Sequence, residues 1–318
     1  MRSAISPIRA LSQGLVDVLK APLVVIAIAI VTLGIALPFA AAIQADLQES
    51  LSVQPHVSLA ETEIDPEWWM EFRAHARGLA ATFTPAVLGF AATLDGLSGV
   101  LDGRDLPVAI FGPLVLSVVA WAFLWGGVLH RFQQQRGIGA GGFLRACRAH
   151  VLHFVGIAAG AAVVNVILYL TVHRILFGPV HRALVALTST ERDAFLVRVA
   201  LYLIFFALVA LVSLIADYAR VAAVAGRETS LPNMIRAATS FIRNHLSTVT
   251  ALYVMTGVIF VLITVAYGTL EIYGGSRVGG WRAIAIGQAY VFVRLGIRLA
   301  FASSELRLFN ANHTAAAL

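Results

Sequence analysis

The sequence has few charged residues and only one cysteine. Charged residues make up 13% of its 318 residues, compared with about a quarter in an average soluble domain. Since 59% of the chain is hydrophobic, a soluble fold would lack the polar groups needed to cover its surface. The single Cys147 excludes an intrachain disulfide and a cysteine-based metal cluster.

The common signatures of catalytic sites are also missing. The chain has no G-x-S-x-G elbow, no H-E-x-x-H motif and no pair of carboxylates within an apolar segment. The glycine-rich stretch Gly137–Gly142 lacks the lysine and hydroxyl of a phosphate-binding loop, which indicates a flexible turn. We therefore expect neither an enzyme nor a cofactor.

The apolar residues are grouped in blocks of about 20, the length that crosses a bilayer as a helix. These blocks predict an all-α integral membrane protein, with residues 1–318 forming one transmembrane domain. The six predicted spans are Pro22–Ile43, Val108–Leu129, Val151–Thr171, Phe195–Ala216, Thr248–Leu270 and Trp281–Ser303.

The charges between the spans predict the orientation. If the N-terminus is cytoplasmic, the inner segments carry a net charge of +10 and the outer segments a net charge of −4. This bias predicts a bacterial inner-membrane protein with both termini in the cytoplasm, and it explains the overall charge of +6 without nucleic acid. The start of the chain also has the features of a secretory signal, but we interpret Ala21–Leu37 as part of a retained span.

The largest hydrophilic insertion, residues 44–107, lies between spans one and two and is predicted to be extracytoplasmic and mostly helical. Asp65, Pro66 and Glu67 predict a helix start, and Trp68, Trp69 and Phe72 follow as a candidate partner surface. Apolar residues at helical spacing over Leu79–Leu101 predict a helix on, or dipping into, the outer membrane face.

Three cytoplasmic segments share a short pattern before an outward-going span. They are Ile8-Arg9-Ala10, Leu144-Arg145-Ala146 and Ile235-Arg236-Ala237. The pattern suggests three repeats of an elbow helix followed by a transmembrane hairpin. The third elbow is the clearest, because residues 230–246 place an apolar stripe opposite Arg236 and Arg243, with Ser230 as the helix cap.

Asp217-Tyr218-Ala219-Arg220, followed by the Arg236-Ala237 amphipathic segment, resembles uncharacterised bacterial six-span membrane proteins. These are similar to the membrane domain fused to some glycerophosphodiester phosphodiesterases. The resemblance covers mainly residues 200–270 and implies lipid or envelope biology. It implies no phosphodiesterase activity, because this chain has no such soluble domain.

Arg294 and Arg298 in the last span are the strongest candidates for a binding site. Arg294 lies about 16 Å along the helix from Ala283, near the bilayer midplane. Tyr290, Arg294, Arg298 and Glu305 share one helical stripe, which predicts an inward site for an anion such as a lipid headgroup. The alternative is that the arginines snorkel to the cytoplasmic surface and pair with Glu305 or Asp217.

Other polar residues have simpler interpretations. Asp217 and Arg220 are spaced to form a helical ion pair at the inner end of span four, although Asp217 could instead relay protons. Cys147, His150 and His153 have the spacing of metal ligands, but a fourth ligand is missing and we predict no metal site.

Three functions remain open on the sequence alone. The first is a non-enzymatic scaffold or accessory subunit of an envelope assembly, which binds a protein partner or its own copies through the outer insertion. The second is a transporter or lipid-handling permease with an anion site at Arg294 and Arg298. An enzyme acting on lipid headgroups ranks last. Membrane lipids are expected to surround the chain in every case.

Overall fold

The computed structural model describes residues 5–53, 66–83, 89–104, 108–225, 230–274 and 281–316. All regular structure in these ranges is helical. The eleven α-helices of the described ranges are α1 (Pro7–Leu19), α2 (Pro22–Val53), α3 (Pro66–His75), α4 (Gly89–Asp102), α5 (Val108–Gln134), α6 (Ala140–Leu168), α7 (His181–Val185), α8 (Glu191–Val224), α9 (Leu231–Asn244), α10 (Leu246–Gly274) and α11 (Trp281–Ala316).

Six helical segments of the described chain are long and apolar enough to cross a membrane. They are α2, α5, the rod that runs from α6 to α7, α8, α10 and α11. The protein is therefore an all-α, multi-pass membrane protein, and the predicted fold class is confirmed. Large apolar side chains such as Val163, Leu203 and Val261 are more than half exposed, as expected for groups that face lipid tails.

The helices are longer than the apolar runs that predicted them. α2 continues ten residues past Ile43, and the third span continues through two π-helical segments, Tyr169–His173 and Leu176–Val180, to Val185. Charged residues such as Asp46 mark the end of an apolar run, but they do not break a helix. The hydrophobic pattern therefore located each span and underestimated its length.

Two of the three predicted elbows are separate helices. α1 begins after Ser6, whose Oγ accepts a hydrogen bond from the Arg9 amide, and α9 begins after Ser230. Ser230 has the extended backbone of a cap, but its side chain makes no capping hydrogen bond. The second elbow differs from the prediction, because Leu144-Arg145-Ala146 lies inside the continuous helix α6. The residues that follow it contain no helix breaker.

The hydrophobic core lies where α1, α5, α8, α9 and α11 converge, and small residues bring these helices together. A Cβ added at Gly14 of α1 would overlap the side chain of Ser304 and the carbonyl oxygen of Ala300 on α11. A Cβ added at Gly126 of α5 would lie 2.9 Å from the carbonyl oxygen of Ala146 on α6. These close approaches fix α11 and α5, both of which contribute residues to the site described below.

The outer insertion contains a second, small core. Trp68 and Phe72 of α3 are 1% and 5% exposed, and they pack with Leu47 of α2 and with Phe83. Trp68 donates a hydrogen bond from Nε1 to Ser50 Oγ at 3.1 Å. The predicted helix start at Pro66 is confirmed, whereas Asp65 lies outside the described residues.

The predicted Leu79–Leu101 helix is shorter than expected. Ala80–Thr82 forms a 3-10 turn, residues 84–88 lie outside the described ranges, and α4 begins at Gly89. The C-terminal end of α4 is held against α8, because Tyr202 donates a hydrogen bond of 2.5 Å to Asp102. This hydrogen bond, together with those from Ser98 and the charges of Arg198 and Arg104, lowers the pKa of the Asp102 carboxyl.

Candidate functional site

A cavity of about 440 Å³, lined by apolar and charged side chains, lies among the helices α5, α8, α10 and α11. Its volume is within the range of small-molecule sites, which is roughly 300–1,000 Å³. Its charged lining residues are Asp217 and Arg220 of α8 and Arg294, Arg298 and Glu305 of α11. Phe206, Phe260 and Phe301 are among the apolar residues of the wall. The cavity therefore combines charged and aromatic surface.

Arg294 and Arg298 lie one turn apart on α11 and both reach this cavity. Within the described chain, neither guanidinium has a carboxylate oxygen within 4.0 Å. Arg294 instead lies 5.7 Å from the centre of the Phe260 ring. The pairs with Glu305 or Asp217 that would accompany snorkelling are absent from the described residues.

Arg298 contacts two tryptophans of α5 that sequence reasoning did not select. Its guanidinium carbon lies 4.1 Å from the ring centre of Trp121 and 5.6 Å from that of Trp125. A cation over an indole face is stabilised by about 0.5 to 2 kcal/mol, so these rings hold the charge without neutralising it. The i, i+4 spacing of the two tryptophans was the available signal, but it could not identify a partner on another helix.

Asp217 and Arg220 form the ion pair that their spacing predicts, with Arg220 Nη1 donating to Asp217 Oδ1. Both side chains are partly buried on the cavity wall. The pair therefore contributes little net charge to the cavity, whose remaining charged groups are the two arginines and the single carboxylate of Glu305 on α11.

Glu305 occupies the end of the same wall. Its side chain is 2% exposed, and Oε1 has no hydrogen-bond partner among the described residues. A buried polar atom without a partner is unfavourable by about 1 to 3 kcal/mol, so in a native protein it calls for an explanation such as a bound water, ion or ligand group. Glu305 therefore adds an unsatisfied acidic group to a cavity that already contains two unpaired cations.

Tyr290 does not join the arginines. Its hydroxyl lies 3.1 Å from Thr264 Oγ1, and its ring stacks on Tyr267 with centres 4.3 Å apart. These contacts tie α11 to α10 outside the cavity lining. Of the three predicted anion-site residues, Arg294 and Arg298 line the cavity, whereas Tyr290 contacts α10 instead.

The aromatic residues predicted as a partner surface have a different position. Trp68 and Phe72 are buried in the small core of the insertion, and the partly buried Trp69 packs against it. Aromatic side chains attract one another as strongly as they attract a partner, so an aromatic cluster in a polar segment does not distinguish a core from an interface. Trp68 and Phe72 are thus largely buried within the chain, and the binding of a partner at this insertion stays a prediction.

The candidate metal ligands are not grouped. No set of three His, Cys, Asp or Glu side chains suited to a metal ion occurs among the described residues. Cys147 is buried against α5, with Sγ 4.0 Å from the carbonyl oxygen of Leu124. His150 stacks on Phe154, with ring centres 5.8 Å apart.

Comparison with known proteins identified no relative: no protein family, curated protein or solved structure matches this chain. The resemblance to the membrane domain of some glycerophosphodiester phosphodiesterases therefore stays a prediction.

Proposed function

We propose that this protein is a membrane permease that binds a phosphate- or carboxylate-bearing ligand in the cavity of the helix bundle. The observation that carries the proposal is the pair of arginines, Arg294 and Arg298, on the cavity wall with no carboxylate oxygen of the described chain within 4.0 Å of either guanidinium. A charged side chain at the bilayer centre is unfavourable by at least roughly 3 kcal/mol. An anionic ligand bound between the guanidinium groups would remove that penalty.

The lining of the cavity supports a ligand of mixed character. Arg220 is paired with Asp217, and α11 contributes two arginines against the one carboxylate of Glu305, so a net positive charge remains. Guanidinium groups bind phosphate and carboxylate through paired N–H donors. Phe206, Phe260 and Phe301 offer apolar surface for the rest of the molecule. This combination suits an anionic group attached to a less polar body.

The predicted topology assigns the cavity to the cytoplasmic side of the bundle. With a cytoplasmic N-terminus, α5, α8 and α11 run inward and α10 runs outward. Trp125, Asp217 and Glu305 then lie toward the inner ends of their helices, and Tyr253 lies near the inner start of α10. We therefore propose a bacterial inner-membrane protein whose binding cavity takes up or releases its ligand on the cytoplasmic side.

The scaffold hypothesis, with a partner or a second copy bound at residues 44–107, has less support. Its main evidence was the aromatic cluster of α3, and two of those three side chains are buried in the chain's own core.

The proposal is tested by thermal unfolding of the purified protein in a neutral detergent. Hexyl phosphate should raise the melting temperature of the wild type with increasing concentration, because a ligand that binds only the folded state stabilises it. Neutral hexyl glucoside should have no such effect. The R294Q/R298Q variant should lose the response, whereas R282Q, which removes an arginine of the same helix that does not line the cavity, should keep it.

Two results would overturn the proposal. One is a wild type that does not respond to hexyl phosphate, and the other is an equal response in R294Q/R298Q. The double variant also loses the ring contacts of both guanidinium groups, so its unfolding temperature without ligand is measured first and the ligand response is taken relative to it. If the double variant does not fold, the single variant R294Q, which keeps the stacking of Arg298 on Trp121, should weaken the response.

Movement of the ligand requires a separate measurement. The protein in liposomes should increase the rate at which fluorescent phosphatidylglycerol in the inner leaflet becomes accessible to an external quencher. R294Q/R298Q should return this rate to that of protein-free liposomes, and R282Q should not. A wild-type rate equal to that of empty liposomes would contradict a permease for anionic lipids and would leave only binding.

A further inference from the structure

A second cavity adjoins the first and shares its arginines. It measures about 190 Å³ and lies between α5 and α6. Trp125, Arg220 and Arg298 line both cavities. Arg298 therefore lies in the wall of both spaces, and its guanidinium stacks on Trp121 in the lining of the smaller one.

The two cavities differ in chemistry. The larger contains Arg294, Asp217 and Glu305 in addition to the shared arginines. Apart from Arg220, Arg298 and Ser117, the smaller is lined by apolar or tryptophan side chains. Phe154 and Ala158 of α6 form the side opposite α5. One space therefore suits a charged group and the adjoining space suits a hydrocarbon.

We infer that the ligand is a lipid-like anionic amphiphile, with its headgroup at Arg294 and Arg298 and an alkyl chain in the smaller cavity between α5 and α6. This inference rests on the proposed function and specifies its ligand class. Arg298 lies at the junction, where the headgroup of such a molecule meets its chain. A free inorganic anion would occupy only the larger cavity and would leave the apolar one without a role.

The inference is tested with a chain-length series of inorganic phosphate and butyl, hexyl and octyl phosphates, by isothermal titration of the wild type in neutral detergent. Burial of one methylene group contributes about 0.8 kcal/mol, so each added methylene should tighten binding roughly three- to fourfold. Inorganic phosphate should bind more than a hundredfold more weakly than octyl phosphate. Equal affinity for all four compounds would assign the site to free phosphate and overturn the inference.

A filled cavity provides the second test. A158F places a ring in the smaller cavity, whereas A159F places the same ring on the exposed face of α6. The dependence of affinity on chain length should disappear in A158F and persist in A159F. If A158F does not fold, S117L narrows the same cavity from α5 and should flatten the series in the same way.

The outcomes separate this inference from the proposed function. If affinity still rises with alkyl-chain length in A158F and S117L, the proposed site for the alkyl chain is overturned, even if R294Q/R298Q still abolishes binding. Absence of binding of every phosphate to the wild type would overturn the proposed function itself. If the affinity of the wild type does not change with alkyl-chain length but is lost in R294Q/R298Q, the anion site stands and an amphiphilic ligand is excluded.

Discussion

Asp17 of the first helix and Arg307 of the last form a two-point ion pair across almost the entire chain. Arg307 donates from Nε to Asp17 Oδ2 and from Nη2 to Asp17 Oδ1, both at 2.7 Å. Ser303 donates a third hydrogen bond, of 2.5 Å, to Asp17 Oδ2. The contact holds α1 against the part of α11 that follows Arg298 and ends beyond Glu305. It thereby fixes the wall of the candidate site.

Removal of this ion pair should destabilise the protein. D17N leaves the Arg307 guanidinium without its charged partner in a partly buried position, and we expect a loss of about 1 to 3 kcal/mol. D46N removes the same charge from an exposed position on α2 and should change the stability by less than about 0.5 kcal/mol. Denaturant unfolding measures both values. Equal losses in the two variants would show that the pair does not anchor α11.

The contribution of Asp17 should depend on pH. Burial raises the pKa of its carboxyl, but the hydrogen bonds from Arg307 and Ser303 and the charges of Arg307 and Lys20 outweigh this effect and hold the pKa below its ordinary value. A lowered pKa in the folded state means that the stabilisation is complete above the ordinary carboxyl value, about 3.9, and is lost as the pH falls through the folded value.

The melting temperatures of the wild type and D17N should therefore differ by a constant amount from pH 5 to pH 8 and converge below about pH 4. Measurement of both melting temperatures across that pH range tests whether folding lowers or raises the pKa of the Asp17 carboxyl. A gap that widens on acidification would contradict the ion-pair account, because it would require a carboxyl whose pKa is raised on folding.

The close approach of α1 to α11 should tolerate no additional methyl group at Gly14. G14A would force a Cβ against Ser304 and the backbone of Ala300, and overpacking of this kind lowers stability by about 1 to 3 kcal/mol. G34A is the matched control, since no atom lies within 4 Å of a Cβ at that position of α2. G34A should be neutral or slightly stabilising. Thermal unfolding of both variants distinguishes a tight helix contact from a loose one.

The position of the aromatic residues of α3 leads to a further prediction. W68A should destabilise the outer insertion by about 3 to 5 kcal/mol, because it empties the centre of a small core. M70A changes a side chain that is 66% exposed on the same helix and should have almost no effect. Hydrogen exchange of the α3 amides reports the difference. Unchanged protection in W68A would restore the prediction of a contact surface.

Some features could be predicted from the sequence and others could not. A run of 20 apolar residues has few alternatives to a membrane helix, so the six spans were predictable from the pattern. The positions of Arg294 and Arg298 on one side of α11 followed from a spacing of four residues. The Asp17–Arg307 pair and the stacking of Arg298 on Trp121 depend on which helices become neighbours, and one sequence does not specify this. The burial of Trp68 likewise depends on which helices become neighbours.

The most direct test of the central claim is a high-resolution structure of the protein in a bilayer that contains phosphatidylglycerol. The account predicts a phosphate group within hydrogen-bond distance of the Arg294 and Arg298 guanidinium groups, with hydrocarbon between α5 and α6 beside Trp121. A closed cavity, in which both arginines are paired with Glu305 and Asp217 and no ligand is bound, would contradict it.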